Sequence, residues 1–487
     1  MIVRRSLVTL ALLLTGCASA PDRRPPTIEV ATPGTYASTA VPGWSAATNP
    51  ADWWSGFDDT VLDSLVSEAL GNNMDIRAAA ARVDAAAAAA RITRADQWPQ
   101  LSAGGRAQKS ESKIIGFPIP GGGDVLTVRS EQFGVSLDMS WEIDLWGRIR
   151  KGEEAALAEL GASWADLAAA RMSIAAQTAK AYFALIEAER QVAFADTSVA
   201  SVARTVDQVR HRYEQGVRSS LDLRIALTIL ANVEALRVRR LQQRATAARQ
   251  LEILMGRYPA AEVATRGTMP DMTGPVPGGL PSELLIRRPD LVAAERRYAA
   301  SESRVSQARR AFFPRITLTG SAGTTSNDLN DLVDLDFGVW NIAAGLVQPI
   351  FQGGRLRANL SQSHARADLS LAAYVQALLV AFNEVEQALT AEALLAERER
   401  HVAEATRQSR AAYRLAQREY EAGLTDYIAV LETQRSAIAA SSELITVQRE
   451  RLDARINLHL ALGGGFDIES QWNDFLLEMT SADGGAK

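Results

Sequence analysis

The chain has 487 residues, of which 47% are apolar and 22% charged, and a net charge of −5. This composition excludes a disordered or collagen-like chain, and the acidic balance argues against a sequence-independent nucleic-acid binder, which needs a basic surface. Past residue 16 no charge-free apolar run reaches 18 residues, which argues against a helical membrane protein. A transmembrane β-barrel stays open, because alternating strands hide their lipid face from an average.

Arg4 and Arg5 precede a short apolar run, Val8 to Leu14, and then Leu14-Thr15-Gly16-Cys17. The pattern reads as an export signal over residues 1–16, too short to span a bilayer as a helix. It resembles a bacterial lipobox, in which the chain is cut before the cysteine and the thiol is lipidated. Cys17 is the one cysteine of the chain, so disulfides within the chain and cysteine-rich metal sites are excluded. The covalent lipid on Cys17 is the expected modification, with no other cofactor. An incidental cysteine near an ordinary secretory cleavage site is the alternative. Ala18 follows, and by resemblance to lipoprotein sorting the lack of Asp there points to the outer membrane. The four histidines, His211, His364, His401 and His459, stand far apart. Residues 17–60 are rich in Pro, Gly, Ala, Ser and Thr, as an extended segment is. Trp53, Trp54 and Phe57 mark either a docking point for that segment or ordinary packing.

Beyond residue 60 the chain repeats itself. Asp75-Ile76-Arg77 opens a helical stretch ending at Trp98-Pro99, and Asp290-Leu291-Val292 opens one ending at Phe313-Pro314, an offset of 215 residues. Gly147-Arg148-Ile149-Arg150 then matches Gly354-Arg355-Leu356-Arg357 at an offset of 207. Tyr213-x-x-Gly216 matches Tyr420-x-x-Gly423 at the same offset. The difference falls in the loop Gly116 to Gly123, where an insertion at a hairpin tip is tolerated. The repeats are placed at 61–256 and 282–463, joined by a linker at 257–281 and followed by a tail at 464–487.

Each repeat reads helix, β-hairpin, very long helix, break, helix. The hairpins are expected at about 101–145 and 315–350. From Phe133 to Leu145 every second residue is apolar, with Gln132, Gly134, Ser136, Asp138, Ser140, Glu142 and Asp144 between them. That dyad fits a strand with lipid on one side and water on the other. In the second repeat Trp340, Ile342, Ala344, Leu346 and Ile350 share a face. The long helices are expected at 153–215 and 355–422, about 95–100 Å each at ~1.5 Å per residue. Helices at Leu62–Trp98 with 221–255, and at Ser282–Phe313 with 427–462, have the summed length to lie end to end along them. Pro99 and Pro314 stop the helices before the strands.

Leu280-Pro281-Ser282-Glu283-Leu284-Leu285-x-Arg287-Arg288-Pro289-Asp290 resembles the joining motif of TolC-like outer-membrane efflux channels, in the lipoprotein branch that includes the NodT-type proteins. Ala294-Glu295-Arg296, Ala308 to Pro314, both Tyr-x-x-Gly motifs and Asp52-Trp53-Trp54 continue the likeness, which covers nearly the whole chain past the signal. It implies a mainly α protein with a transmembrane β-barrel. Three protomers close one 12-stranded barrel above a hollow periplasmic α-barrel. It also implies a passive duct in a tripartite efflux pump for small toxic compounds. The homotrimer would then work with a periplasmic adaptor protein and an inner-membrane pump of the RND type. Physical reasoning agrees on oligomerisation, since four strands cannot close a barrel with a lumen and open edges are not tolerated in lipid.

The same resemblance places a resting gate and adaptor contact at the far helix tip. Copy one offers Tyr213, Gly216, Arg218 and Asp222, and copy two Tyr420, Gly423, Asp426 and Glu432. Thr425 and Ala429 stand where Arg218 and Asp222 stand in copy one, so the second copy departs from the family pattern. Tyr213 and Tyr420 can alternatively be read as packing the turn. Asp222, Asp426 and Glu432, repeated by three-fold symmetry, would favour cations. No enzyme motif is apparent. A duct for type I protein secretion and a lipid-anchored coiled-coil protein without a pore are the competing readings.

Overall fold

The computed structural model describes residues 36, 44–45, 52–116, 125–272, 276–277 and 287–464. Cys17 and the signal, the hairpin loop from residue 117 to 124, most of the joining motif and the tail from 465 onward lie outside the described residues.

The elements are β1 (Trp44–Ser45), a 3-10 turn (Trp53–Phe57), α1 (Thr60–Asn72), α2 (Met74–Ala95), β2 (Gln100–Ile115), β3 (Val125–Ile143), α3 (Arg148–Glu214) and α4 (Ser220–Leu254). The second half gives β4 (Val276–Pro277), α5 (Pro289–Arg310), β5 (Arg315–Ser326), β6 (Gly338–Val347), α6 (Arg355–Glu421) and α7 (Tyr427–Ala461). The described residues divide into two compact units, one holding those within 84–161 and 295–373, the other those within 36–83, 162–294 and 374–464.

The first unit holds a four-stranded antiparallel sheet in the order β2-β3-β5-β6. Its register puts Leu101, Met139, Gly320 and Ile342 in one row, and Ala103, Leu137, Ala322 and Trp340 in the next. The apolar residues expected on the strand faces therefore lie on one side, except Leu145 and Ile350, because β3 ends at Ile143 and β6 at Val347. Pro349 follows and lacks the N–H a ladder needs. The apolar side is open: Leu137 is 52% exposed and Trp340 78%. β3 pairs with β5 over 11 residues, Phe133 to Ile143. At ~3.3 Å per residue and a tilt near 40°, that is a band ~28 Å tall, the height of a bilayer core. Among the described residues the outer edges of β2 and β6 have no partner.

The second unit packs around Trp53, Phe57, Leu62, Tyr182, Phe183, Leu251, Met255 and Ile456. Trp53 is 2% exposed, meets Trp54 edge-on at 5.6 Å and stacks on His459 at 5.1 Å. The tryptophan and Phe57 are thus core. Asp59 caps α1 by accepting from the Val61 and Leu62 amides, and its other oxygen accepts from the Tyr182 hydroxyl at 2.7 Å. Both carboxylate oxygens of Asp59 are thus satisfied, as a buried acid requires.

One helix was expected from Leu62 to Trp98, and two are found. Asn73 divides them: its Oδ1 accepts from the Asp75 and Ile76 amides, and its Nδ2 donates to the Leu254 carbonyl at 2.9 Å. An Asn side chain that caps a new helix start offers the backbone an alternative to continuing. The long helices begin and end within a few residues of expectation, at 67 residues each.

Arg455 of α7 and Glu392 of α6 form a buried pair, Nη2 to Oε1 at 2.6 Å, with the glutamate 2% exposed. Glu392→Ala strands a buried guanidinium and is expected to cost ~3–5 kcal/mol, whereas replacing both residues by apolar ones is close to neutral. Urea unfolding of the detergent-solubilised protein, followed by circular dichroism, checks this. Of the described helices, α6 is long and apolar enough to cross a membrane by length and composition. Its apolar surface includes Leu369, 70% exposed, with Leu379 and Val380 also open.

Candidate functional site at the helix turns

Both long helices end in the same way. The Gly216 amide donates to the Tyr213 carbonyl at 2.9 Å and the Val217 amide to the Arg212 carbonyl at 2.9 Å. In the second repeat Gly423 donates to Tyr420 at 3.1 Å and Leu424 to Glu419 at 2.8 Å. This is a Schellman ending, with the glycine in the left-handed region at φ 74° and 77°, a conformation glycine adopts without cost. The Tyr-x-x-Gly spacing therefore encodes the helix stop: the tyrosine carbonyl is the acceptor that the glycine amide closes on.

The helices that follow also start alike. The Ser219 hydroxyl accepts from the Asp222 amide at 3.3 Å, and the Asp426 carboxylate from the Ala429 amide at 3.0 Å. Asp426 is thus an N-cap, equivalent to Ser219 and not to Asp222. A carboxylate there also faces the positive end of the helix dipole.

The two tyrosines, equivalent by sequence, differ in surroundings. Tyr213 is 42% exposed, and Tyr420 is 1% exposed. Tyr420 packs with Val202, Val206, Val209, Ala416, Tyr427 and Val430, and its ring lies 5.5 Å from that of Tyr427. Two arginines of the first repeat hold it. The Arg212 guanidinium sits 4.7 Å from the Tyr420 ring centre and that of Arg218 4.9 Å. Arg212 also donates Nη1 to the Tyr420 carbonyl and Nη2 to the Glu421 carbonyl, each at 3.0 Å. A planar cation at the negative end of α6 satisfies carbonyls that have no partner within the helix. Burial, with Tyr420, Tyr413 and Asp222 nearby, raises the Tyr427 phenol well above its ordinary range, so it stays neutral.

The structure thus brings Tyr420, Arg218 and the second-repeat helix end together, and leaves Tyr213, Asp426 and Glu432 exposed. Glu432 lies 3.8 Å from Arg435 on the surface. Sequence reasoning missed Arg212 and Tyr427. The signal for Arg212 was present: it precedes Tyr213, and the second repeat has Glu419 at the matching place. Beside the turn, α4 and α7 enclose a groove of about 720 Å³ lined by Ile225, Ile229, Val233, Leu236, Ile428 and Leu431, with Arg224, Glu432 and Arg435 at its rim. No group here is arranged as a nucleophile with a base. Among the described residues no cluster of three or more His, Cys, Asp or Glu could hold a metal ion.

The chain matches the family described as outer membrane efflux protein over residues 65–257 and 280–464. It is 34% identical over 464 residues to the outer membrane protein OprJ of Pseudomonas aeruginosa, covering 95% of this chain and 96% of that protein. It is 32% identical over 472 residues to the toluene efflux pump outer membrane protein TtgF of Pseudomonas putida, covering 95% and 97%. Among solved structures the outer-membrane channel OprN superposes with a TM-score of 0.82 at 30% identity, over 92% of this chain and 99% of that one. The two matched segments correspond to the two repeats, and the sheet carries the single apolar side a membrane strand needs. The chain therefore belongs to the outer membrane efflux protein family, the TolC-like efflux channels of the outer membrane, which are channel proteins and not enzymes.

Proposed function

We propose that three copies of this chain join their four-stranded sheets edge to edge into one 12-stranded barrel and serve as the exit duct of a tripartite efflux pump. The observation that carries this reading is the sheet itself: one continuous apolar face, and two edges without partners among the described residues. Unpaired edges in hydrocarbon leave several backbone groups unsatisfied, so closure by further copies is the physical solution. The exposed apolar surface of α6 is covered in the same assembly, by a neighbouring copy's helices. Conduction is passive, through a water-filled lumen lined by Ser136, Asp138, Ser140 and Glu142. Energy comes from an inner-membrane pump of the RND type through a periplasmic adaptor. The turns at Gly216 and Gly423 form the periplasmic end, where the resting pore narrows and the adaptor docks. Asp222, Asp426 and Glu432 there favour cations. Small apolar toxic compounds are the substrates, in keeping with the toluene efflux pump named for TtgF. Cys17 carries the lipid, which anchors the extended N-terminal segment to the membrane.

Deleting the gene and running a susceptibility panel of solvents, dyes and antibiotics tests the function. Increased sensitivity, restored by the intact chain, is expected, together with co-purification of an adaptor and native mass spectrometry at three chains. A monomer in mild detergent, or unchanged susceptibility to every compound, overturns the reading. Cys17→Ser is expected to lose the acyl mass while still forming the trimer.

A further inference from the structure

The side of the sheet opposite the apolar one holds four charged residues among the described strands, Arg106, Asp138, Glu142 and Arg315. Glu142 is paired with Arg148 at 2.9 Å, and Asp138 accepts from the Ser136 hydroxyl at 2.8 Å. Arg315 opens β5 at the end of the sheet next to the helices. Arg106 is different. It is exposed in the middle of β2, and among the described residues no hydrogen bond or ion pair reaches its side chain.

The strands on either side leave that guanidinium alone. Opposite Arg106 on β3 is Gly134. Packing demands the glycine, since a Cβ there would come within 2.6 Å of the Thr324 carbonyl oxygen on β5. Asp138 stands opposite Ser102, four residues along β2, or ~13 Å at ~3.3 Å per residue. The other flank of β2 is a sheet edge, which β6 of a neighbouring copy covers in the trimer proposed above. On the same side of the sheet β6 carries Val339, Asn341, Ala343, Gly345 and Val347, none of them charged. The apolar side must run on across the seam, and a slip of one residue would turn it inward. Each register that keeps the faces continuous therefore sets an uncharged residue beside Arg106.

We propose that the three Arg106 side chains form a cationic ring inside the barrel and make the duct select for organic anions, amphiphilic carboxylates above all. This rests on the trimeric barrel proposed above. Twelve strands ~4.8 Å apart and tilted about 40° give a backbone radius of ~12 Å. With the side chains extended inward, a solute on the axis lies within about one screening length, ~8 Å at physiological salt, of all three charges. Gly134 belongs to the stretch of β3 paired with β5, so the ring stands within the membrane band. A low-dielectric wall there focuses the field of the charges into the lumen. An unpaired guanidinium also offers a planar fork that a carboxylate meets with two hydrogen bonds. The acidic groups at the periplasmic turns favour cations, so the barrel, and not the helix tip, supplies the preference for anions.

Planar-bilayer recording of the full-length channel under a gradient of potassium chloride, and then of potassium benzoate, tests this. Arg106→Ser is expected to lower the anion-to-cation permeability ratio several-fold in both salts, and Arg106→Glu to lower it further. Arg106→Lys keeps the charge and is expected to stay near the parent. The differences are expected to shrink at about 1 M salt, where the screening length falls to ~3 Å. A native gel establishes that each variant is a trimer. Trimers of Arg106→Ser and Arg106→Glu that keep the parent's reversal potential overturn the proposal. An Arg106→Lys trimer that behaves like Arg106→Ser overturns it too. A parent channel that is not a trimer, or that conducts nothing, removes the barrel reading instead.

Discussion

Leu137→Lys is expected to abolish assembly of the channel in the membrane while leaving the helices folded. Leu137 lies near the middle of the apolar band, in the row of Ala103, Ala322 and Trp340. A lysine at the midplane of a β-barrel costs ~2–4 kcal/mol, and a trimer carries three, about 6–12 kcal/mol in all. That exceeds what a marginally stable assembly can absorb. Ser140→Lys, a few residues along the same strand but on the opposite face, replaces a lumen residue. It is expected to insert normally and to shift ion selectivity toward anions. Outer-membrane fractionation with planar-bilayer recording distinguishes the two. A Leu137→Lys trimer that conducts like the parent would mean this face does not meet lipid.

The double variant Arg212→Ala/Arg218→Ala is expected to raise single-channel conductance several-fold. Arg212 closes the last two carbonyls of α6 and, with Arg218, flanks the Tyr420 ring. Hydrogen bonds from a charged group contribute ~1.5–3 kcal/mol, and each cation over a ring ~0.5–1 kcal/mol at an exposed site. Removing them frees the end of the second-repeat helix from the first repeat, three times over in a trimer. Arg212→Lys is expected to behave nearly like the alanine change, because an ammonium lacks the planar fork that reaches two adjacent carbonyls. Thermal melting is expected to move little, since the Tyr420 and Tyr427 core stays buried. Unchanged conductance in the double variant would remove the turn as a constriction.

The parts of the molecule legible from sequence are those governed by local rules. The period-two run from Phe133 onward announces a two-faced strand, and the structure turns each of its apolar residues through Ile143 to the same side. The Tyr-x-x-Gly pairs announce helix stops, since a glycine amide in the left-handed region closes on a carbonyl three residues back. The break at Asn73 was hidden, because an Ala-rich stretch hides a capping residue whose partner, Leu254, lies 181 residues away. The length difference between the hairpins was hidden for a similar reason. β3 reads as one strand, and only its partners reveal where β5 stops.

The sequence alone determined the duplicated plan, the strand faces and the chain reversals, because each depends on side-chain period or backbone conformation within a few residues. The tertiary structure decided how equivalent positions diverge. Tyr213 and Tyr420 occupy the same place in their repeats, yet one is open and the other is buried between two arginines. The Tyr-x-x-Gly spacing is identical at both, and the difference comes from which helix packs beside each and from Arg212 and Arg218, which the first repeat carries where the second has Glu419 and Thr425.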